Sequence, residues 1–143
     1  MRSHRPGALA HRAPVHGATL RGMTARRTAL GRQGEDIAAR WWEERGAELL
    51  DRNWRHGAHG EIDLVVAEGP RLVVCEVKTR STAAFGEPVE MVSLAQRRRL
   101  RRLTAAWLQA HPGRWDEVRI DVLGVLAPPG GPVTVHHVPG AVS

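Results

Sequence analysis

Lysine is almost absent from this chain. Of 21 Lys and Arg residues, 20 are arginine, and Lys78 is the exception. Cysteine is as scarce. Cys75 stands alone, which excludes an internal disulfide framework and any Cys-rich zinc site. Such usage is expected of a reducing cytoplasm. No apolar run reaches the ~18 residues that a transmembrane helix needs, so no membrane partner is expected. Acids are missing from residues 1–34, which hold seven arginines. The remaining residues, 35–143, carry fourteen Lys/Arg against fifteen Asp/Glu. The net charge of +6 therefore says little about the folded body, and the position of arginine clusters matters more. The one dense cluster is "QRRRLRR", Gln96 to Arg102.

At 143 residues the chain is long enough to bury a core as one domain. Residues 1–22 mix Gly, Pro, His and Arg with no apolar period, so they are expected to be an unstructured extension. They lack the apolar stretch of ~7 residues that a secretory signal requires. Pro6 and Pro14 break any amphipathic helix of the transit-peptide kind. Met23 is the expected natural start, and residues 23–143 the single domain.

What is present reads as α, three strands, α, two strands. "TALGRQGEDIAARWWEERGA" has a helical period: Leu30, Ile37, Ala38, Trp41 and Trp42 share an arc, Gly34 lies inside it, and Glu35 sits at its edge. A glycine there permits close approach to a sheet. "AELLDRNW" is a short strand. "GEIDLVVAEG" alternates, with Ile62, Leu64 and Val66 on one face and Glu61, Asp63 and Val65 on the other. "LVVCEVKTR" follows a Gly69-Pro70 turn and should pair with it as a hairpin. Leu72, Val74, Glu76 and Lys78 share one of its faces. Ser93 and Gln96 form a capping-box pattern for a second helix, in which Leu100, Leu103 and Trp107 recur. "EVRIDVLGVLA" and "VTVHHV" are the last strands, the final one at an edge. The fold class is α/β, a mixed sheet of about five strands flanked by helices.

The chemistry concentrates in that hairpin. Asp63 is followed thirteen residues later by Glu76, then Val77 and Lys78. Two carboxylates on adjacent strands repel each other and are costly to bury unless a cation lies between them. An oxygen-only donor set suits Mg²⁺ or Mn²⁺ rather than zinc. Such an ion would serve phosphodiester hydrolysis, with Asp63 and Glu76 as its ligands and Lys78 orienting water and stabilising developing charge. A compact ammonium can share its proton when buried, and a guanidinium cannot. That is a physical reason for one lysine to stand where arginine fills every other basic position. A Glu-x-Lys triplet on a strand more commonly marks a solvated face with a cross-strand ion pair. Here the flanking Val73, Val74, Cys75 and Val77 are core-like, which favours the functional reading.

Taken together, "GRQGEDIAARWW", "RNWR", "GEIDLVV", "LVVCEVKTR" and "FGEP" resemble the YraN-like family of predicted endonucleases, over about Leu30 to Val125. That family is similar to the Holliday-junction-resolvase branch of the restriction-endonuclease-like fold. The resemblance implies a metal-dependent DNA endonuclease. It makes Glu35 the first-helix acid and metal ligand, Asp63 the motif aspartate, and Glu76 with Lys78 the acid–lysine pair. Glu61 becomes an outer-shell acid. Ile62 stands where the motif of the wider superfamily has proline, and Gln96 where a basic residue would open the second helix. A homodimer is expected by analogy with resolvases. The alternative is a module within a DNA-processing assembly that binds nucleic acid without cutting it.

Arg80, beside the site, and Arg98, Arg101 and Arg102 are the candidate phosphate contacts. Phe85 is expected to plug the core, and His136 and His137 to lie on the surface. Asp121 interrupts an apolar strand, where it either pairs with Arg119 or caps a turn. Trp41, Trp42, Trp54, Trp107 and Trp115 are expected to serve packing.

Overall fold

The valine-rich segments pair into a sheet whose strands follow chain order. A computed structural model describes residues 17–82 and 88–143. Among these, β1 (Glu48–Arg55), β2 (Glu61–Glu68), β3 (Arg71–Arg80), β4 (Glu117–Leu126) and β5 (Thr134–Val142) lie side by side as β1-β2-β3-β4-β5. β3 and β4 are parallel; the other pairs are antiparallel. Helix α1 (Gly17–Glu44) covers one face and α2 (Leu94–Ala110) the other. The result is the mixed α/β sandwich expected from the sequence, consistent with a restriction-endonuclease-like fold. No helix among the described residues is long and apolar enough to cross a membrane.

Each face has its own core. Ala38, Ala39 and Trp42 of α1 pack on Leu64, Val66, Val73, Cys75 and Leu123. Leu100, Leu103 and Trp107 of α2 pack on Val65, Leu72, Val74, Ile120 and Val122. Alternation along β3 sends its side chains to the two layers in turn, so both faces are apolar and the strand reads as a continuous run. The capping box that starts α2 forms as expected. The Gln96 N–H donates to the Ser93 hydroxyl at 3.1 Å, and the Ser93 N–H donates to the Gln96 side chain at 2.9 Å.

Three details depart from the sequence reading. Helix α1 begins at Gly17, so residues 17–22 of the expected unstructured extension are helical. The last proline before the helix is Pro14, and nothing after it forbids the α conformation. Second, Ile62 does not share a face with Leu64 and Val66. It belongs to the core under α2, whereas they lie under α1. The change of face falls where Asn53, with φ 53°, stands on β1 between Arg52 and Trp54, the partners of Leu64 and Ile62. A left-handed residue departs from regular strand geometry, and strict alternation is not kept beside it. Third, His137 is not a free surface histidine; its partners are described below. Phe85 and the loop around it lie outside the described residues.

Candidate active site

β2 and β3 are paired from Leu64–Cys75 to Glu68–Arg71, and the ladder stops there. One step beyond, the Asp63 carboxylate takes over. The Val77 N–H donates to its Oδ2 at 2.8 Å. A side chain thus replaces a backbone acceptor, and the two strands part around it. The Glu76 carboxyl lines the same cavity as Asp63, and its negative charge acts on Asp63. The Asp63 carboxyl is raised from its ordinary 3.8 to about 8. Burial is the largest cause and the negative charge of Glu76 the next; the Val77 N–H opposes both, and the charge of Glu35 adds a smaller push. A carboxyl in that condition is short of positive charge.

Lys78 supplies part of it. Its Nζ lies 3.3 Å from Glu76 Oε2, on the same face of β3 two residues on, and both side chains are mostly buried. Glu61, Asp63 and Glu76 open into a cavity of about 210 Å³, closed on the far side by Gln96, Arg99 and Leu100 of α2 and by Gly60. The sequence-predicted residues Asp63, Glu76 and Lys78 are therefore assembled, with Glu61 at the rim of the same cavity.

Glu35 reaches this end of the sheet through a close helix–strand contact. A methyl group placed on Gly34 would lie 2.8 Å from Thr79 Cβ and 2.7 Å from its Cγ2. Carbon atoms do not approach so closely, so glycine is what lets α1 rest on β3, as expected from the sequence. The next residue, Glu35, projects toward β1. Its Oε1 accepts from Asn53 Nδ2 at 3.0 Å, and Arg52 stands 3.8 Å away. The same amide nitrogen donates to Glu61 Oε2 at 3.0 Å. Arg55 closes the chain, 2.7 Å from Glu61 Oε1.

Asn53 is the site residue that the sequence reading missed. The string "RNWR" was in view, but only its left-handed backbone shows what the asparagine does. It tolerates φ > 0 and presents an amide to two carboxylates at once. Among the described residues no group of three Asp, Glu, His or Cys side chains converges on one point. The reason is visible: Glu35 and Glu61 are engaged by Asn53, so Asp63 and Glu76 form the inner pair.

The arginines divide in a way that the sequence does not reveal. Arg101, a candidate phosphate contact, donates to the Ser143 carbonyl at 2.6 Å and so ties α2 to the chain end. Arg97 donates to Val92 and Ala141 carbonyls. Arg80 donates to its neighbour's carbonyl, that of Thr79, at 3.0 Å, and burial lowers its pKa. Arg98 and Arg102 are exposed on α2. Arg99, not singled out before, is the helix arginine that lines the cavity.

Asp121 is fully buried and pairs with Arg119, the first of the two sequence readings; its other partners lie on strand β5 and not in a turn. Arg119 donates to it through Nε at 2.7 Å and Nη2 at 2.9 Å, and the Gly140 N–H caps it at 2.9 Å. His137 Nε2 adds a fourth contact at 2.7 Å, with its ring edge-on to Trp41 and Trp42. This network joins β4, β5 and α1 away from the acidic fork.

Comparison with known proteins places the chain. The profile described as Uncharacterised protein family UPF0102 matches residues 34–125, a span that contains Glu35, Asn53, Asp63, Glu76, Lys78 and Asp121. The chain is 54% identical over 113 residues to a UPF0102 protein of Frankia casuarinae, covering 79% of this chain and 95% of that one. It is 44% identical over 114 residues to one from Rhodococcus opacus, covering 80% and 96%. A Streptomyces coelicolor relative is 49% identical over 115 residues, covering 80% and 88%. The chain belongs to the UPF0102 family.

Proposed function

We propose that this protein is a metal-dependent endonuclease that hydrolyses phosphodiester bonds in DNA. One observation carries the reading: Asp63 and Glu76 face each other where the strands part, with the only lysine of the chain 3.3 Å from Glu76. A carboxyl raised by burial and by the charge of a neighbouring carboxylate calls for a cation. Two carboxylates with no sulfur or imidazole beside them fit Mg²⁺ or Mn²⁺. Asp63 and Glu76 would hold the ion, and Glu35 adds negative charge near Asp63 from its place on Asn53. When bound, the ion supplies Lewis-acid activation of a phosphoryl oxygen and of a water.

The chain's own groups do the rest. The Val77 N–H fixes the orientation of the Asp63 carboxylate. Lys78, held by Glu76, directs its ammonium at the place where charge develops on phosphorus oxygens. Asn53 keeps Glu35 and Glu61 apart from the inner pair while supplying both with a donor. DNA is the partner, with branched or damaged forms as the substrates to try first. A homodimer follows by analogy with resolvases, and a cytoplasmic location is the reading that the single cysteine fits.

The test is a cleavage screen over linear, flapped, forked and four-way DNA with Mg²⁺, Mn²⁺ or EDTA. Metal-dependent cutting that disappears in Asp63→Asn, Glu76→Gln and Lys78→Met, all still folded, supports the reading. Equal cutting by all three variants and the native chain refutes it. The alternative, a binding module that does not cut, predicts DNA affinity without cleavage in any metal.

A further inference from the structure

Four carboxylates, Glu35, Glu61, Asp63 and Glu76, lie at this end of the sheet. A phosphodiester approaching them is repelled unless a cation meets it on the way. The nearby cations are mostly committed. Lys78 is held by Glu76 at 3.3 Å, Arg55 by Glu61 at 2.7 Å, and Arg52 by Asp36 and Glu35. Arg99 is different. Among the described residues it is the one cationic side chain that lines the cavity onto which Asp63 and Glu76 open. Among the described residues its guanidinium takes part in no hydrogen bond or ion pair, although the carboxylates lie across the same cavity.

Its stem is nevertheless held. Gly60 has φ 95°, and a Cβ built there would stand 3.4 Å from Arg99 Cδ and 3.5 Å from Nε. The side chain therefore lies along the bare backbone at the entrance to β2, immediately before Glu61. Packing the methylenes reduces the rotamer entropy that a binding arginine must lose, while the residue as a whole stays exposed at the cavity. Arginine's paired donors match two oxygens of one phosphate.

We propose that Arg99 seats the phosphate group that faces Asp63 and Glu76, and that the other helix arginines do not. The ligand class is a phosphodiester of a nucleic-acid strand. The inference rests on the nuclease reading for its placement, but not for its test. Arg99 is a positioning residue: it sets how the phosphate is held, and leaves water activation to other groups.

The experiment measures binding and cutting separately on the full chain. Fluorescence anisotropy with labelled duplex and four-way DNA, in EDTA and over a salt series, reads binding. Single-turnover cleavage in Mn²⁺ reads chemistry. The variants are Arg99→Gln, which keeps the packed stem, Arg99→Lys, and Arg114→Ala as an exposed control beyond the opposite end of β3. Arg99→Gln should weaken binding about tenfold and lower the salt slope by about one. Arg99→Lys should restore most of the affinity but not the saturating rate, because one point charge does not orient a phosphate as a fork does. Arg114→Ala should bind and cut as the native chain does. Native-like binding by Arg99→Gln overturns the proposal, as does an equal loss in Arg99→Gln and Arg114→Ala. Arg99-dependent binding with no cleavage of any substrate upholds the seat and refutes the nuclease. Cleavage that ignores Arg99 does the reverse, and neither binding nor cleavage refutes both.

Discussion

The backbone N–H of Val77 donates to the carboxylate of Asp63 at the point where β2 and β3 separate. The bond does two things. It ends the strand pairing, and it aims an acid at Glu76 on the neighbouring strand. An asparagine could accept the same hydrogen bond without the charge, so geometry and electrostatics can be tested apart.

That separation predicts a pH dependence. The Asp63 carboxyl is raised to about 8 in the fold and returns to about 3.9 when unfolded. Between those values the folded chain holds more protons than the unfolded one, so stability falls as pH rises. The contribution is fully present below about pH 4 and lost above about pH 8. Because the negative charge of Glu76 is one cause of the Asp63 shift, neutralising either residue should reveal it. In EDTA, Asp63→Asn and Glu76→Gln should each flatten the slope and exceed the native chain in stability at pH 8 by about 2 kcal/mol or more. Urea unfolding at pH 5, 7 and 8.5 checks this; parallel curves for native and variant would contradict it.

Adding a divalent ion should reverse the penalty. Millimolar Mg²⁺ or Mn²⁺ should raise the native Tm, most strongly at pH 8, where Asp63 ionises more readily. Asp63→Asn should respond little. Differential scanning fluorimetry with and without the ion decides, and Ca²⁺ serves as a non-catalytic comparison.

Gly34→Ala should cost about 1–3 kcal/mol, because the added methyl meets Thr79 on β3. The same change should push Glu35 away from Asn53 and weaken any cleavage beyond the loss of stability. Thr79→Ala in the same chain should recover part of the stability, since two of the three crowding atoms are removed. Chemical denaturation of the two single variants and the double variant measures the coupling.

Asp121→Ala should cost about 3–5 kcal/mol, leaving the Arg119 guanidinium and the Gly140 N–H without their buried acceptor. Because the network is separate from the acidic fork, the metal-induced rise in Tm should persist in whatever fraction still folds. Guanidinium unfolding followed by Trp42 and Trp41 emission, beside His137, reports the change.

Asn53 offers a test of the outer acids. Asn53→Gly keeps the left-handed backbone but removes the amide shared by Glu35 and Glu61. Asn53→Ala removes both. Stability should be lost mainly in the alanine variant, by about 1 kcal/mol. Any catalytic defect should appear in both, which thermal melts and cleavage rates together would reveal.

Much of this architecture was legible in the residues, and the exceptions have physical causes. Strand β3 reads correctly because its alternation and its acid–lysine pair obey the same period of two. Gly34 was interpretable because a small residue inside an apolar arc has few other uses. Ile62 reads wrongly because strict alternation assumes a regular strand, and β2 does not keep it where β1 carries its left-handed Asn53. Arg99 was hidden among five similar arginines. Which of them turns toward the acids depends on where Gly60 passes, a tertiary fact that helical spacing does not contain. The Arg119 partner of Asp121 was legible two residues away, but His137 and Gly140 were not, since they lie on β5, 16 and 19 residues away.

The strand order also bears on how the chain folds. Short connections join β1 to β2 and β2 to β3, and only residues 127–133 separate β4 from β5. The pairing of β3 with β4 alone must wait for the long crossover through α2, residues 81–116. Local closures are fast and distant ones slow. Asp63 and Glu76 therefore meet within the hairpin that closes first, while α2, which brings Arg99, docks later. The repulsion between the two acids falls on an early step, where protonation or a divalent ion can relieve it. Refolding in EDTA should accordingly slow between pH 6 and pH 9, and recover when the ion is restored.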